Sequence, residues 1–446
     1  MKGLIRTLTN IYKIEELRNR ILFTLGLILI YRFGTYVVLP GIDPSALDSL
    51  EQQGQGGLLG LVNLFAGGAF SRASIFALGI MPYISASIAV QLLTLAVPYF
   101  QKLQKEGESG RRQINQITRY LTVIVTAAQA FGYIFNINFI AGDAVIISQG
   151  LFTLSTVIVL TAGTIFVMWI GEKITDRGIG NGISLLIMIG IIATLPFALA
   201  AEFTSRLNEG GGLVVFLIEI AVLVSVVVAV VLLVQGTRRI PVQYAKRVVG
   251  NKQYGGVRQY IPLKVNAAGV MPIIFAQALM FIPGTVAQFF PDAAESSGFV
   301  AAFNDFTSAP YNIVHFLLVI LFTYFYTALI VNPVQMADDM KKNGGFIPGV
   351  KPGKKTAEFI DSVMSRIVLP GSIFLAFVAI LPAFAMMFGV NMQFAMFFGG
   401  TSLLIMVSVT LDTLQQVESH LLMRHYDGLM KSGRIKGRSA SVGAGI

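Results

Sequence analysis

The stretch LVVFLIEIAVLVSVVVAVVLLV, residues 213–234, contains a single ionisable side chain, that of Glu219. A helix of this length extends about 33 Å, enough to cross the hydrocarbon core of a bilayer, which is about 30 Å thick. Nine other stretches are of comparable length and apolar character. They are residues 21–39, 74–97, 118–137, 151–170, 183–201, 268–290, 312–333, 367–387 and 393–412. The sequence therefore predicts an all-α polytopic membrane protein with ten transmembrane helices.

The composition of the 446-residue chain agrees with this prediction. Hydrophobic residues make up 54% of the chain and charged residues only 13%, whereas a soluble domain carries about 25% charged residues. Too few charges remain to cover the surface of a soluble enzyme of this size. The chain contains no cysteine and three histidines, which argues against disulfides, thiol catalysis and zinc sites. We expect no catalytic residues, no metal and no cofactor.

Positive charge recurs in alternate segments of the chain. Of the 33 Lys and Arg residues, 30 lie in six segments that comprise both termini and every second connection between predicted spans. These segments are residues 1–20, 98–119, 171–182, 235–267, 334–366 and 413–446. Asp and Glu are distributed more evenly, and a strong bias in bases beside a weak bias in acids is typical of the positive-inside rule. We therefore expect both termini on the cytoplasmic side.

A polar, glycine-rich segment divides the chain. Residues 202–212 form a predicted hinge linker between five spans in residues 21–201 and five spans in residues 213–412. If the halves are structural repeats, an odd number of spans in each inverts the second half relative to the first. Residues 1–20 have the spacing of an amphipathic cytoplasmic helix, with a frayed basic tail as the alternative. Residues 413–446 form a predicted cytoplasmic tail.

One apolar segment is too short to span a membrane. Residues 58–70 reach about 20 Å as a helix, and glycines lie near both ends, at Gly56-Gly57 and Gly67-Gly68. Non-spanning backbone at membrane depth persists only where it is buried in protein or lines a water-filled cavity. We interpret the segment as a re-entrant helix inside a pore. A helix lying flat on the outer leaflet is the alternative.

The predicted spans contain few ionisable groups. Arg32, Glu219, His315 and Asp412 stand out among them, and the sequence offers no explanation for Glu219. Ion-coupled transporters place such groups at membrane depth to bind or relay cations. Aliphatic constrictions, in contrast, gate by excluding water. The pattern favours a passive channel, and a secondary transporter of a small solute is the alternative.

Two long basic segments connect predicted spans. Residues 235–267 contain seven Lys or Arg and no Asp or Glu, and residues 334–366 contain six Lys or Arg. Connections in compact bundles are usually short, so this length points to binding. We predict that these loops bind an acidic protein surface or RNA phosphates with salt-sensitive affinity. Contact with anionic lipid head groups is the alternative.

Several long motifs resemble those of one family. They are SRASIFALGIMPYISASI at 71–88, EGESGRR at 106–112, RGIGNGIS at 177–184, Asn332-Pro333 with Ala337-Asp338, and GGTSLLI at 399–405. Together they resemble the SecY family, the channel subunits of the general protein translocase. The resemblance extends from about the first span to the tenth. It implies two inverted five-helix halves around a central hourglass pore, a re-entrant plug helix and a lateral gate to lipid.

The resemblance also implies roles for individual residues. The pore ring would comprise Ile80, Ile84, Ile187, Ile274 and Ile405. Residues 58–70 would form the plug, with Asn63, Leu64, Phe65, Gly67 and Gly68 at its centre. Polar positions of the lateral gate would be Ser85, Gln129 and Gln277. Docking of cytoplasmic partners would use Arg238, Arg239, Lys246, Arg247 and Lys351.

One position departs from the family pattern. The family usually has arginine in the turn Pro-Gly-x-Arg-Pro-Gly, and this chain has Lys351 in the turn at 348–353. An ammonium group makes a point contact where a guanidinium makes a planar two-pronged one. Either the partner contact is a simple charge contact here, or Lys351 contributes less to it.

Function, partners and location follow from the same resemblance. The chain would pass unfolded secretory polypeptides across a bacterial inner membrane and release apolar segments sideways into its lipids. An external motor, SecA, or the ribosome, through protein or ribosomal RNA, would drive the movement. The small membrane subunits SecE and SecG would accompany the channel.

Overall fold

The computed structural model describes residues 14–47, 60, 63–140, 142–209, 212–244, 247–249, 252–254, 258–289 and 307–431. Helices account for most of these residues, as predicted. They are α1 (Glu15–Gly34), α2 (Met81–Ala96), α3 (Pro98–Lys105), α4 (Glu108–Ile140), α5 (Gln149–Arg177), α6 (Gly182–Glu209), α7 (Gly212–Gln235), α8 (Met271–Phe289), α9 (Ala309–Ile330), α10 (Pro333–Lys342), α11 (Lys354–Met387), α12 (Met392–Ala395) and α13 (Gly400–Lys431). Residues 1–13 of the predicted amphipathic helix and residues 432–446 of the predicted tail lie outside the described residues.

Six helices within the described part of the chain are long and apolar enough to cross a membrane. They comprise α4, α5, α6, α7, α9 together with α10, and α11, and a seventh span results if α2 and α3 are counted as one bent pair. The remaining predicted spans overlap α1, α8 and α13, which are not among these six helices; of α8, Met271–Met280 counts as a shorter apolar helix. The count of ten spans and the inverted relation of the halves stay predictions.

The predicted span 74–97 is helical only from Met81 onwards. Residues 71–80 instead form turns that are hydrogen-bonded to the chain after α1: the amide of Ile75 donates to the carbonyl of Val37 (2.9 Å), and that of Leu39 donates to Ala73 (2.8 Å). These bonds satisfy backbone groups that a helix would otherwise pair. The helix α2 is therefore 16 residues long and begins inside the protein. At its other end, α3 leaves at 99° to it.

The long helices pack in two groups. The first group consists of α1, α2, α4, α5 and α6, and the second of α7, α8, α9, α11 and α13, as judged by their mutual contacts. The groups meet where α6 packs against α7 and α13, and where α4 contacts α8. The hydrophobic core that contains most of the predicted pore residues lies between the groups, because its buried members come from both.

The predicted hinge linker, residues 202–212, is helical up to Glu209. Its polar side chains are used inside the protein. Arg206 pairs with Glu202 (2.8 Å) and with Glu219 of α7 (2.6 Å), and it also donates to the carbonyl of Gly389 (2.7 Å). The second oxygen of Glu202 accepts from the amide of Asn391 (2.8 Å). This network accounts for Glu219: it is the partner of a buried guanidinium that ties the first helix group to the second.

The two basic segments form one small β structure. Strands β1 (Thr237–Tyr244) and β4 (Arg258–Lys264) pair antiparallel, and β5 (Gly345–Phe346) from the second segment pairs with β1. Strands β2 (Arg247–Val249) and β3 (Lys252–Tyr254) form a further antiparallel pair. Buried Ile240, Val242, Leu263, Met340 and Ile360 give this region its own core. The loops, which we did not expect to contain strands, are therefore a joint folded unit.

We expect Arg206→Gln to destabilise the folded protein. The substitution leaves the buried carboxylates of Glu202 and Glu219 without their cation, which should reduce the free energy of unfolding by about 3 kcal/mol. Thermal unfolding of the purified protein in detergent measures this. Arg112→Gln is the matched control, because the Arg112–Glu108 pair has the same sequence spacing but is exposed, with side-chain exposures of 78% and 81%. Equal melting temperatures for the two variants would contradict a stabilising role for the buried network.

Candidate channel constriction and plug

Four of the five predicted ring isoleucines line one small cavity between the helix groups. Ile84 comes from α2 and Ile187 from α6 in the first group, whereas Ile274 comes from α8 and Ile405 from α13 in the second. The other lining residues are Phe65, Met81, Ser85, Gln277 and Ala278. The sequence contains no local signal that would bring these four isoleucines together, so their convergence is a property of the fold.

Ile80 lies beside this cavity rather than in its wall. It is the residue before the first turn of α2, and its carbonyl accepts from the amide of Ile84 (3.1 Å). Its side chain is 4% exposed and belongs to the same core cluster as the other four isoleucines. The structure thus groups all five predicted ring residues, with Ile80 one helical turn from Ile84.

The cavity is small and mostly apolar. Its volume is about 20 Å³, which is room for about one water molecule. Its lining is aliphatic and aromatic apart from the side chains of Ser85 and Gln277. An ion entering such a space would lose its hydration shell without gaining charged partners. The arrangement can therefore hold back ions while closed.

The described part of the predicted plug, residue 60 and residues 63–70, lies in the interior of the protein. Leu64 is 8% exposed and Phe65 6% exposed, and both belong to the core cluster of the ring isoleucines. Phe65 lines the ring cavity, and Leu64 lines a larger cavity of about 270 Å³. The plug segment therefore separates the two cavities. Burial of this kind is what a re-entrant segment requires, and the assignment of the segment as a plug stays a prediction.

Two glycines allow the plug backbone to touch α6. A Cβ on Gly190 would lie 2.8 Å from the carbonyl oxygen of Phe65 and 3.2 Å from the amide nitrogen of Gly67. A Cβ on Gly67 would lie 3.0 Å from the Cα of Gly190, and the φ of Gly67 is +65°. Any larger residue at Gly190 would push the plug segment away, since backbone atoms cannot yield as a flexible side chain can.

Polar side chains satisfy the non-helical backbone of the plug. Arg32 donates to the carbonyl of Gly67 (3.0 Å), and the hydroxyl of Tyr133 donates to the carbonyl of Phe70 (2.8 Å). The side-chain oxygen of Asn63 accepts from the amide of Ser71 (3.1 Å). Each bond gives a partner to a backbone group that is not paired within a helix. Arg32, one of the few charged residues in the predicted spans, thus has the carbonyl of Gly67 as its partner.

A second arginine reinforces the contact at the same place. The guanidinium of Arg72 lies 4.4 Å from the ring centroid of Tyr36, and that of Arg32 lies 5.6 Å from the same centroid. Tyr36 is therefore flanked by two cations, an arrangement that is favourable for the negative face of its ring. The cluster fixes both arginines next to Gly67 and Gly68.

The predicted gate residues separate into two positions. Ser85 on α2 and Gln277 on α8 both line the ring cavity, one from each helix group. Gln277 is 5% exposed and donates to the hydroxyl of Tyr311 (3.2 Å). Gln129 lies on α4, is half-buried and does not line this cavity. The structure therefore brings Ser85 and Gln277 together but not Gln129.

The predicted docking residues lie on the β structure and the turn beside it. Arg238 and Arg239 are exposed on β1, and Lys351 is exposed in the turn before α11. Arg247 belongs to β2, and Lys246 lies outside the described residues.

A neighbouring lysine differs from Lys351 in its charge balance. The carboxylate of Glu358 hydrogen-bonds the ammonium of Lys355 at 2.9 Å and raises the pKa of that lysine. The same bond lowers the pKa of Glu358. Lys355 is thus engaged in a surface ion pair, whereas Lys351 is exposed in the turn.

Several supporting residues escaped the sequence analysis. Gly190, Tyr133 and Tyr311 act only through contacts with distant parts of the chain. An isolated glycine within an apolar helix, as in IMIGIIA at 187–193, does indicate close packing, but it does not name the neighbour. The strands had a clearer signal: TRRIPVQY and RQYIPLK alternate apolar and polar residues on either side of Gly255-Gly256.

Comparisons with known proteins agree with this geometry. The family described as SecY matches residues 74–414. The protein translocase subunit SecY of Streptomyces scabiei is 46% identical over 432 residues, which cover 94% of this chain and 98% of that protein. The SecY subunit of Vibrio cholerae is 44% identical and covers 95% of this chain and 96% of that protein.

Solved structures share the fold. A protein-conducting channel superimposes with a TM-score of 0.63 at 18% identity, covering 94% of both chains. Sec61 in a canine ribosome–channel complex from the endoplasmic reticulum gives 0.58 at 17% identity, again covering 94% of both chains. With these relatives and its apolar helices, the chain is a multi-pass membrane protein. Because the family match and the relatives cover most of its length, the chain belongs to the SecY family.

Proposed function

We propose that this chain forms the pore of a protein translocase and that unfolded polypeptides pass between its two helix groups. The observation that carries this proposal is the convergence of Ile84, Ile187, Ile274 and Ile405, two from each group, on one dry cavity closed by Phe65. Relatives that are 44–46% identical are named as protein translocase subunits. The proposed activity is transport of a polypeptide rather than catalysis.

The isoleucine ring has the physical properties that this function needs. A translocating chain presents side chains of every chemistry, so a wall of fixed charges or hydrogen-bonding groups would retain some of them. Aliphatic side chains contact all of them through dispersion alone, and each such contact is weak. When the polypeptide leaves, the ring closes again on a space for about one water molecule and keeps ions out.

The plug adds a second barrier below the ring. Phe65 contacts the ring cavity directly, and the segment around Gly67 is held by Arg32 and by close contact with Gly190. These contacts are local and few, so an entering polypeptide can displace the segment without unfolding a helix group. We assign residues 58–70, including Asn63 and Leu64, to this movable plug.

Apolar segments would leave the pore sideways. Ser85 on α2 and Gln277 on α8 mark the boundary of the two groups at the ring, and α4 contacts α8 on the same boundary. Separation of these helices would expose a passing segment to lipid. Burial there is worth about 0.8 kcal/mol per CH₂, so a sufficiently apolar segment partitions out. Gln129 on α4 is assigned to the rim of this gate.

Movement requires an external source of energy. The exposed cations Arg238, Arg239 and Lys351 project from a folded unit that both basic segments share. We propose that this unit, with Lys246 and Arg247, docks the SecA motor or the ribosome on the cytoplasmic side of a bacterial inner membrane. Distant structural relatives include Sec61 in a ribosome–channel complex. SecE and SecG are the small subunits expected to accompany the chain.

A secondary transporter of a small solute is the weaker reading. Such a protein needs a substrate-sized site with coupling groups at membrane depth. The cavity at the ring holds about one water molecule and has no ionisable residue among its lining.

Substitution of the ring tests the proposal directly. We expect Ile274→Asn or Ile405→Asn to weaken the closed state by about 1–3 kcal/mol, because each buries an amide in an apolar wall. Export of a precursor with a defective signal sequence should then rise by about fivefold or more, since 1.4 kcal/mol corresponds to a factor of about ten. The measurement is ATP-driven uptake into vesicles that contain this chain, its small partner subunit and the motor. Ile274→Leu is the matched control, and unchanged uptake in both asparagine variants would contradict the ring.

Seating of the plug makes a separate prediction. Gly190→Ala places a Cβ 2.8 Å from the carbonyl oxygen of Phe65, so the plug segment must move outwards. We expect more frequent ion-conducting openings of the resting channel in planar bilayers. Gly26→Ala is the matched control, because a Cβ at Gly26 in α1 meets nothing within 4 Å. Conductance that is equal for both variants would mean that contact with α6 does not seat the plug.

The docking role of Lys351 is tested by charge and by shape. Exposed ionic contacts contribute up to about 1 kcal/mol, so Lys351→Ala should reduce motor-driven uptake by up to about fivefold. Lys351→Arg should retain it, and the loss should shrink at high salt. Lys355→Ala is the control, because it removes a nearby lysine that is held in an ion pair with Glu358. Equal uptake with Lys, Arg and Ala at position 351 would remove the residue from the docking surface.

A further inference from the structure

A hydrogen bond crosses the boundary between the two helix groups away from the ring. The hydroxyl of Tyr326 on α9 donates to the side-chain oxygen of Gln91 on α2. Helix α9 belongs to the second helix group and helix α2 to the first, and 235 positions separate the two residues in sequence. The bond therefore joins the two sides of the proposed lateral exit.

The position of Gln91 relates the bond to the ring. Gln91 is seven residues after Ile84 on the same helix, which places it about 10 Å further along the helix axis. Its side-chain nitrogen donates to the hydroxyl of Ser87 one turn earlier (3.4 Å). The amide group is thereby oriented, with its nitrogen towards its own helix and its oxygen towards α9.

Tyr326 is held firmly on the opposite side. Its side chain is 6% exposed and belongs to the core cluster of the second group. The ring packs edge-to-face against Phe275 of α8, with centroids 4.8 Å apart, and also contacts Phe325 at 6.2 Å. A ring packed on two sides has little freedom, so its hydroxyl has a fixed position from which to reach Gln91.

The surroundings of the bond are apolar. Ile88, one turn from Gln91, packs against the same cluster as Tyr326. An apolar segment that enters the boundary can replace such aliphatic and aromatic contacts with its own side chains. It has no group with which to replace the hydrogen bond, and a polar group stripped of its partner at membrane depth is costly.

We propose that the Gln91–Tyr326 hydrogen bond is a latch that determines how apolar a segment must be to open the lateral exit. The inference rests on the proposed channel function and adds a selectivity element to it. An entering segment must gain enough from apolar burial to offset the broken bond as well as the displaced contacts. Segments of weak hydrophobicity fail this condition, and strongly apolar ones meet it with a surplus.

A double-mutant cycle tests the latch. The variants are Tyr326→Phe, Gln91→Leu and the combination, and the readout is uptake into reconstituted vesicles of precursors whose signal segments carry a graded number of leucines. Each single variant should raise uptake of the weakest signals by about threefold, as expected for one hydrogen bond between membrane helices. Uptake with full-strength signals should stay unchanged, which also shows that the variants fold. The double variant should gain no more than either single one, since all three lack the same bond.

Tyr324→Phe is the matched control on the same helix. Tyr324 packs against the core of the β structure rather than the boundary, so it should behave as the unsubstituted chain does. The latch is overturned if the single effects add in the double variant, if Tyr324→Phe gives the same gain, or if Tyr326→Phe lowers uptake of full-strength signals. Ile405→Asn, included in the same series, separates the two proposals. Failure of every variant, including this one, to alter signal selectivity counts against the channel function, whereas an effect of Ile405→Asn alone counts against the latch only.

Discussion

Backbone polar groups that leave a helix at membrane depth must find partners within the protein, because no water is available to replace them. The segment that ends at Phe70 obeys this constraint. Arg32 and Tyr133 each supply a side-chain donor to one of its carbonyls, and Asn63 accepts an amide from just beyond it. Much of the surrounding structure follows from this need, including an arginine inside the first predicted span.

The same constraint bears on the proposed plug role, in which the segment must close a channel and still be released. The segment is held by a few hydrogen bonds and by a contact between Gly67 and Gly190. These contacts are far less extensive than the side-chain packing between two helices. The isoleucine wall beside it supplies water exclusion without directed bonds. Closure thus rests on apolar contact, and the position of the plug rests on a small number of polar contacts.

Polar contacts between the helix groups are few in the described residues and differ in kind. The Arg206 network is a buried ionic cluster with two carboxylates and a backbone carbonyl, and loss of any partner exposes an uncompensated charge to the interior. The Gln91–Tyr326 contact is a neutral hydrogen bond, which is far easier to break. A strong contact between the groups at one place and a weak contact at another is consistent with the proposed opening on one side only.

Prediction from the sequence succeeded for the helical class and for the family. The resemblance also named a short segment that is buried between the helices and five isoleucines that lie in or beside one cavity, but their roles as plug and ring stay predictions. The strands of the basic segments were not predicted, because the alternation in TRRIPVQY is short and lies between long apolar segments. The sequence also predicted that the second span begins at residue 74. In the structure, hydrogen bonds with Val37 and Leu39 hold residues 71–80 in turns, and the helix begins at Met81.

Hydrophobicity, charge bias and motif order depend only on which residues follow one another in the chain. The sequence by itself therefore determined that this protein is a helical membrane protein, which segments are basic and to which family it belongs. Contacts between residues far apart in the chain cannot be inferred from the residue order alone. Only the tertiary structure decided that Glu219 pairs with Arg206, that Gly190 contacts the backbone of Phe65 and Gly67, and that Tyr326 bonds to Gln91. Each of these depends on the close approach of groups that are far apart in the sequence, and the packing of the helices sets that approach.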